Sequence, residues 1–320
     1  MSGTYLDAAR SALGAALEED DAVVILGEDV AAGGPFGLTK GLAGRVAPGR
    51  VRNTPISEGA VAGVGVGLAL GGRRPFIDLM FNDFITAASD QLFNHAAKIH
   101  YMSGGRYSVP LTVWTVGGAG TRWGAQHSQR LDGWLAQVPG LKVLAPSTPS
   151  MAASSVRAAL ADPDPVVVFA DRGLLFQRAD LPGDDGSPWW PRVVRPGGEL
   201  TVVASGLLLH RVLTVVESVG VDAEVIDLQR IAPLDVDLIA ESVRKTRRLL
   251  LVHEESAQGG LTLSIAARVS QACHASMEAP VLRLTPPPTP IPAAASLEDA
   301  YLISDSQIEA AIRNLVTGRQ

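Results

Sequence analysis

Cysteine is nearly absent from this chain, which has one, Cys273, among its 320 residues. No internal disulfide can therefore form, and no set of cysteines is available to hold a metal ion. The six histidines add no metal signature, because none of them falls in an HExxH pattern or at another metal-binding spacing. The sequence argues against a zinc enzyme, and the low cysteine count fits a reducing cytosol.

Positive charge is also in short supply. The chain has 27 Lys and Arg against 33 Asp and Glu, a net charge of -6, and its basic residues form no cluster. This balance argues against nucleic acid and anionic membrane surfaces as partners.

Long hydrophobic runs are missing too. The longest run of small apolar residues extends over 14 positions, from Gly59 to Gly72, whereas a membrane helix needs about 20. The N-terminus lacks the basic start and apolar core of a signal peptide. We therefore expect no membrane segment and a cytoplasmic protein.

Several common enzyme signatures do not occur. The glycine-rich stretches lack the Lys-Ser/Thr of a P-loop, and none has the strand–GxGxxG–helix layout of a dinucleotide site. The chain has no GxSxG nucleophile elbow either, so a hydrolase triad is not supported.

The first half of the chain alternates short β-branched runs with longer helical patterns. Strands are predicted at 23–26, 76–80, 111–114, 141–144 and 166–169, and helices include 84–102 and 150–160. This alternation predicts an α/β domain over residues 1–178, with a parallel sheet covered by helices on both faces.

A proline- and glycine-rich segment at 179–198 is predicted to be a linker. The alternation then resumes over residues 199–320, which predicts a second, smaller α/β domain. Its predicted strands are 200–203, 223–226 and 249–252, and its predicted helices are 207–219, 235–246, 259–273 and 304–316.

A glycine stripe follows Glu58. Gly59, Gly63, Gly67 and Gly71 recur at every fourth residue, and on a helix such residues share one face. Because glycine costs a helix up to about 1 kcal/mol per position, this bare face suggests close approach of another backbone, such as another subunit's helix, or of a flat ligand. Glu58 is either a functional carboxylate at the helix mouth or a simple complement to the helix dipole.

Two further places are candidates for chemistry. His127 follows a glycine-rich loop after the strand at 111–114, and open α/β sheets bind ligands beyond the carboxyl ends of their strands. A histidine there is either a proton-transfer group or a loop residue hydrogen-bonded for structure. Met80, Phe81 and Phe84 form either an apolar surface for a flat ring or ordinary core.

An ordered set of short motifs carries a family resemblance. It includes Gly-Glu-Asp-Val at 27–30, Thr-Pro-Ile-Ser-Glu at 54–58, Met-Phe-Asn-Asp-Phe at 80–84, Tyr-Met-Ser-Gly-Gly at 101–105, Gln-His-Ser-Gln at 126–129 and Pro-Gly-Leu-Lys-Val at 139–143. The chain resembles the beta subunit of the thiamine diphosphate-dependent decarboxylase component of 2-oxo acid dehydrogenase complexes. This resemblance implies a transketolase-like pyrimidine-binding domain followed by a transketolase C-terminal-like domain.

The resemblance also implies an incomplete active site. An alpha subunit would hold the diphosphate and Mg²⁺ in an α2β2 heterotetramer, and this chain lacks a Gly-Asp-Gly motif followed by Asn. The further partners implied are a 2-oxo acid and a lipoyl-bearing dihydrolipoamide acyltransferase.

Residue roles follow from the same resemblance. Glu58 would hydrogen-bond a pyrimidine nitrogen and favour the tautomer that takes the proton from the thiazolium carbon. Met80 and Phe84 would pack on the pyrimidine ring, and His127 would assist acyl transfer to lipoamide. Glu28 would lie in a water-filled path between paired active sites.

A K⁺ site is implied as well. Its ligands would be the carbonyl oxygens of Leu111, Ala159, Leu160 and Asp162, together with Asp164; oxygen ligands suit a hard cation.

The chain departs from the family pattern at 170–176 and 286–292, and Trp114 and Trp123 are unusual near the active-site loop. These departures leave the substrate open between pyruvate and a branched-chain oxo acid. The alternatives are an acetoin dehydrogenase beta subunit, a split transketolase-like subunit that transfers a ketol unit, and a non-catalytic scaffold that docks an acyltransferase.

Overall fold

The computed structural model describes residues 3–178, 181 and 187–318. Positions 179–180 and 182–186 of the predicted linker lie outside these described residues. Within the described ranges, no helix is long and apolar enough to cross a membrane.

Among the described residues, the first part of the chain contains six α-helices and six strands. In chain order these are α1 (Tyr5–Glu19), β1 (Val23–Gly27), β2 (Val51–Asn53), α2 (Glu58–Leu70), β3 (Arg74–Phe81), α3 (Ile85–Asp90), α4 (Ala97–Met102), β4 (Thr112–Gly117), α5 (Asp132–Leu135), β5 (Lys142–Leu144), α6 (Pro149–Ala161) and β6 (Val166–Asp171). A π-helix, Gln91–Ala96, joins α3 to α4, so the helix predicted at 84–102 is one helical segment with an altered middle turn.

The remaining elements belong mainly to a second sheet. They are β7 (Arg192–Arg195), β8 (Leu200–Ala204), α7 (Gly206–Val219), β9 (Ala223–Asp227), β10 (Arg230–Ala232), α8 (Asp237–Thr246), β11 (Leu249–Val252), α9 (Leu261–Cys273), β12 (Leu282–Leu284), α10 (Ala295–Tyr301) and α11 (Asp305–Thr317).

The first sheet has the strand order β10-β5-β6-β4-β3-β1-β2. Neighbouring strands in this sheet are parallel, except that β10 runs antiparallel to β5. Apolar residues of α1 and α6 cover one face, and those of α2, α3 and the π-helix cover the other. The predicted parallel sheet with helices on both faces is confirmed.

The second sheet has the order β12-β11-β8-β9-β7. Helices α7 and α11 pack on one face, whereas α8 and α9 pack on the other and share a continuous apolar core with the first sheet. The predicted second α/β unit is therefore confirmed, and the shared core holds it firmly against the first.

Among the details that differ from the sequence-based expectations, three concern the topology and the proposed site. Strand β7 lies inside the predicted linker and pairs antiparallel with β9. Strand β10 crosses from the second half of the chain to the edge of the first sheet. Both strands are short and begin with arginine, so they lack an apolar pattern. Trp114 is fully buried in β4, so it belongs to the core and not to an active-site loop.

The glycine stripe of α2 packs in part against its own chain. A Cβ atom at Gly59 would lie 3.1 Å from the carbonyl oxygen of Ala87, and one at Gly63 would lie 3.3 Å from Oε1 of Gln91. A Cβ at Gly67 would meet no atom within 4 Å. The expectation that another subunit covers this face therefore applies only to the C-terminal half of α2.

Candidate active site

The candidate residues collect at one edge of the first sheet. Strands β2, β1, β3 and β4 are parallel neighbours, so their carboxyl ends meet at the same edge, where open α/β sheets bind ligands. Glu28 directly follows β1, Glu58 begins α2 just beyond β2, and His127 lies in the loop after β4. The topology thus brings together segments that are far apart in the chain.

Met80 has an unusual backbone at the end of β3. Its φ angle is +55°, which non-glycine residues rarely adopt. The β3–β4 register shifts between Asp78 and Phe81, and such bulges redirect side chains beside active sites. Oδ1 of Asp78 accepts a hydrogen bond of 2.9 Å from the Met80 amide, and burial raises the pKa of Asp78 to about 6. Met80 therefore has a strained backbone at the edge where open α/β sheets bind ligands, and its contact with the pyrimidine ring stays a prediction.

His127 lies in an aromatic cluster with Phe36, Phe81, Phe84 and Trp123. Its ring centroid is 4.8 Å from that of Phe81, 5.4 Å from that of Phe84 and 6.2 Å from that of Trp123. Phe81 also contacts Phe36 and Trp123. The structure therefore brings His127 and Phe84 together, and the cluster offers an apolar wall beside a group that can transfer protons.

The segment after β3 is joined to the segment after His127. Nδ2 of Asn82 donates to the carbonyl of Gln129 at 2.9 Å. Oδ1 of Asp83 accepts from Nε2 of Gln129 at 2.8 Å, and the second oxygen of Asp83 is buried without a partner. These contacts fix the positions of Phe84 and His127 relative to each other.

Glu58 and Glu28 lie at the open side of the same edge. Both side chains are partly exposed, and within the described residues no hydrogen bond or ion pair joins either of them to His127. Glu58 is the first residue of α2, where the helix dipole favours a carboxylate. The pyrimidine contact of Glu58 and the place of Glu28 in a water-filled path near the cofactor stay predictions.

Two acids from the second half of the chain hold the loop that precedes His127. Oε1 of Glu254 accepts a hydrogen bond of 2.5 Å from the Ala119 amide. Glu298, which is fully buried, accepts from the Gly120 amide at 2.9 Å and from the Arg122 amide at 3.0 Å. The second α/β unit thus supports the glycine-rich loop through backbone N–H groups.

A buried charge network lies behind this loop. Arg130 binds Asp132 at 3.0 Å and Asp171 at 2.8 Å, and His253 lies 3.5 Å from Asp132. Burial opposes ionisation of Asp132, but Arg130 and His253 hold its pKa well below the usual range. Burial and the nearby Asp171 raise the pKa of Glu254 to about 7, so this acid titrates near neutral pH.

The predicted K⁺ ligands are partly engaged in other contacts. Nζ of Lys142 binds the Asp162 carboxylate at 2.7 Å and the Asp164 carboxylate at 3.0 Å. The carbonyl of Leu160 accepts from Arg74 at 2.6 Å, and that of Leu111 from Val166 at 2.9 Å.

Because a lysine ammonium already neutralises Asp164, this carboxylate fits poorly as a K⁺ ligand. The carbonyl oxygen of Ala159 accepts a long hydrogen bond of 3.3 Å from the backbone N–H of Asp162. The K⁺ site stays a prediction that rests on carbonyl oxygens alone. In the described part of the chain, no three His, Cys, Asp or Glu side chains form a group that could hold a metal ion.

Sequence reasoning missed most of the supporting residues. Asn82 and Asp83 lie inside a motif that carried the resemblance, so their place was visible but their partners were not. Glu254 follows a short apolar strand and Glu298 lies in a short helix, and neither position has a pattern that points to a loop more than a hundred residues away.

Two family models match the chain. The model of the transketolase pyrimidine binding domain matches residues 2–177, and that of the transketolase C-terminal domain matches residues 191–308. Among solved structures, a chain described as split gene transketolase, inactive beta4 tetramer, aligns with a TM-score of 0.76 over 100% of both chains at 21% identity, which supports the fold.

Curated relatives match over nearly the whole chain. The acetoin:2,6-dichlorophenolindophenol oxidoreductase subunit beta of Cupriavidus necator is 37% identical, with 97% of this chain and 96% of that one covered. The 2-oxoisovalerate dehydrogenase subunit beta of Bacillus subtilis is 37% identical over 98% of both chains. The pyruvate dehydrogenase E1 component subunit beta of Porphyra purpurea is 36% identical over 99% and 98%.

Proposed function

Because this chain belongs to the transketolase-like beta subunits of 2-oxo acid and acetoin dehydrogenases, we propose that it forms the pyrimidine-binding half of a thiamine diphosphate-dependent active site. The other half, with the diphosphate and Mg²⁺, is held by an alpha subunit, and two copies of each subunit assemble into a heterotetramer. The complex decarboxylates a 2-oxo acid and passes the acyl group to a lipoyl group on an acyltransferase.

One observation carries this proposal most directly. Met80, with its left-handed backbone, and the aromatic cluster around His127 lie at the edge of the sheet that also carries Glu58. A half-buried apolar surface at the same edge of the sheet as a carboxylate fits a flat heteroaromatic ring whose nitrogen needs a proton partner. The apolar surface and the carboxylate together therefore suit the pyrimidine end of the cofactor.

Each residue has a distinct task in this proposal. Thiamine diphosphate, when bound, supplies a nucleophilic carbon and accepts the electron pair released as carbon dioxide leaves. Met80 and Phe84 orient the pyrimidine ring by packing, and the carboxyl group of Glu58 shares a proton with a ring nitrogen. The imidazole of His127 holds or gives a proton as the acyl group is transferred. The aromatic cluster excludes water from this side.

The test is an assay of the reconstituted complex. The chain is co-purified with candidate alpha subunits, and thiamine diphosphate-dependent reduction of 2,6-dichlorophenolindophenol is followed with pyruvate, 2-oxoisovalerate and acetoin. Glu58→Gln is expected to lose about 10²–10⁴-fold in rate. Glu241→Gln, which alters an exposed acid on α8, is the matched control and is expected to retain full activity.

The outcomes separate the alternatives. Full activity of Glu58→Gln contradicts the role of Glu58, and turnover by this chain alone contradicts a site shared between subunits. Absence of turnover with every alpha subunit and substrate favours a scaffold subunit. Transfer of a ketol unit between sugars favours a split transketolase.

Acetoin is the second candidate substrate. The acetoin:2,6-dichlorophenolindophenol oxidoreductase subunit beta and the 2-oxoisovalerate dehydrogenase subunit beta are equally similar to this chain, at 37% identity, so acetoin is as well supported by the relatives as 2-oxoisovalerate. Comparison of kcat/KM for the three substrates decides between them.

A further inference from the structure

Arg172 is a buried cation that binds the loop carrying His127. The side chain is 7% exposed and follows the end of β6. Its Nη2 atom donates to the carbonyl of Gly118 at 2.6 Å and also to the carbonyl of His127, while Nη1 donates to the Thr121 hydroxyl at 2.8 Å. One guanidinium therefore ties the start of the loop to His127.

The same guanidinium stacks on the aromatic cluster. Its central carbon lies 5.5 Å from the ring centroid of Phe81 and 5.7 Å from that of Trp123. Both rings also contact the His127 ring. Arg172 thus reaches His127 by two routes, through its backbone carbonyl and through the aromatic rings that pack on its imidazole.

Burial of the Arg172 guanidinium costs free energy, which argues for a functional role of this side chain. A buried cation usually needs an ion-pair partner. Among the described residues no carboxylate lies within ion-pair distance of Arg172, four acids farther away offset the burial only in part, and its Nε atom is buried without a partner. Burial lowers the pKa of this side chain. Only the planar, five-donor fork of arginine can bind several carbonyls and stack on rings at once.

Glu254 and Glu298 bind the loop before His127 through groups of the opposite kind to those that Arg172 binds. The two acids from the second half of the chain accept from loop N–H groups, whereas Arg172 donates to loop carbonyls. Of these three anchors, only Arg172 touches His127 itself.

We propose that Arg172 is a positioning residue that fixes the orientation of the His127 imidazole. The inference rests on the proposed function, in which His127 acts in acyl transfer. Loss of the guanidinium fork leaves the loop attached through the two acids but releases His127 from its carbonyl and ring contacts.

The test compares Arg172→Lys and Arg172→Gln with a matched control, Arg50→Lys. Arg50 is also largely buried and binds the carbonyls of Leu17, Asp20 and Val23, at the opposite end of the first sheet. Transfer of the acyl group to a lipoyl domain and reduction of 2,6-dichlorophenolindophenol are measured separately in the complex with the alpha subunit.

We expect Arg172→Lys to lower kcat for acyl transfer by about 10–100-fold, because small misplacements of a catalytic group have effects of this size. KM for the 2-oxo acid and the rate of dye reduction should change by less than about threefold. In a His127→Gln background, the same substitution should cost less than about threefold, because the group that it positions is gone. Equal losses in both backgrounds, or a loss no larger than that of Arg50→Lys, overturn the proposal.

A second measurement needs no turnover. The imidazole signal of His127 is followed by NMR in the full-length beta chain alone, with assignment by His127→Gln. Arg172→Lys and Arg172→Gln should shift and broaden this signal, whereas Arg50→Lys should leave it unchanged. An unaltered signal contradicts the positioning role even in an active complex, and an inactive wild-type complex with the expected NMR change contradicts the proposed function alone.

Discussion

The imidazole ring of His127 packs edge-on against the phenyl ring of Phe84, with centroids 5.4 Å apart and planes at 80°. The two residues come from the segments that follow β3 and β4, which are adjacent parallel strands. The imidazole predicted to transfer a proton is thus held directly against a side chain predicted to support the cofactor ring. Disturbance of Phe84 should therefore affect both cofactor binding and catalysis.

Phe84→Ala is expected to raise the thiamine diphosphate concentration for half-maximal activity and to lower the maximal rate by about 10-fold or more, because it removes packing for the ring and for His127. Dye reduction against cofactor concentration measures the effect on the cofactor, and acyl transfer to a lipoyl domain measures the effect on His127. Phe93→Ala is the control, since Phe93 packs on Trp134 in a separate contact. Equal effects from both variants contradict a specific role for Phe84.

Met80→Gly should separate backbone strain from side-chain function. Glycine accepts a φ of +55° without strain, so the Gly variant should be more stable than Met80→Ala by about 1 kcal/mol. Both variants should lose activity to a similar extent, because both lack the side chain that is predicted to pack on the pyrimidine. Urea unfolding of the beta chain and the dye assay measure the two effects. An Ala variant as stable as the Gly variant contradicts the strain argument.

The edge of the sheet where the proposed site lies could be predicted from the sequence. Alternating β-branched runs predict parallel strands, and parallel strands place Glu28, Glu58 and His127 at one edge whatever the exact register. The contact between Phe84 and His127 was not predictable in this way. It depends on the bulge after Asp78, which turns the end of β3, and such a bulge has no clear sequence pattern.

The supporting residues were beyond sequence reasoning for a different reason. Arg172 lies in a stretch that departs from the family pattern, and Glu254 acts on a loop from the other half of the chain. Most of their hydrogen bonds to the loop are made to backbone atoms, which any residue type provides. Short strands such as β10 are held by pairing to a neighbour and carry no amphipathic signal of their own.

Glu254→Gln should change how stability depends on pH. The folded pKa of Glu254 is about 7, above its ordinary value of 4.5, so the folded chain binds more protons than the unfolded chain between these values. The free energy of unfolding contributed by this group is therefore highest below pH 4.5 and falls as pH rises through 7. Glutamine does not titrate and can still accept the hydrogen bond from the Ala119 amide. Relative to wild type, the free energy of unfolding of the variant should therefore rise by about 1–2 kcal/mol between pH 5 and pH 8.

Urea unfolding of the beta chain at several pH values measures this difference. Glu241→Gln, at an exposed position on α8, serves as the control and should show no such trend. A Glu254→Gln variant that loses stability relative to wild type as pH rises contradicts the prediction.

The glycines of α2 provide the final prediction, because two of them face different surroundings. A Cβ at Gly67 meets no atom within 4 Å, whereas one at Gly59 lies 3.1 Å from the backbone oxygen of Ala87. In the beta chain alone, Gly67→Ala should raise the free energy of unfolding by about 0.5–1 kcal/mol through helix propensity. Gly59→Ala should lack this gain, because α3 must shift by a few tenths of an ångström to make room for the Cβ atom, and overpacking typically costs about 1–3 kcal/mol.

If another subunit covers the open half of α2, a large side chain at Gly67 should interfere with assembly. Gly67→Leu should then weaken formation of the complex with the alpha subunit in size-exclusion chromatography, even though the beta chain itself stays folded. Glycine at this exposed helical position costs stability in the isolated chain, and a close helix contact in the assembly is a physical reason to keep it. Unchanged assembly of Gly67→Leu shows that this face remains open, and the cost of Gly67 then has no explanation in packing.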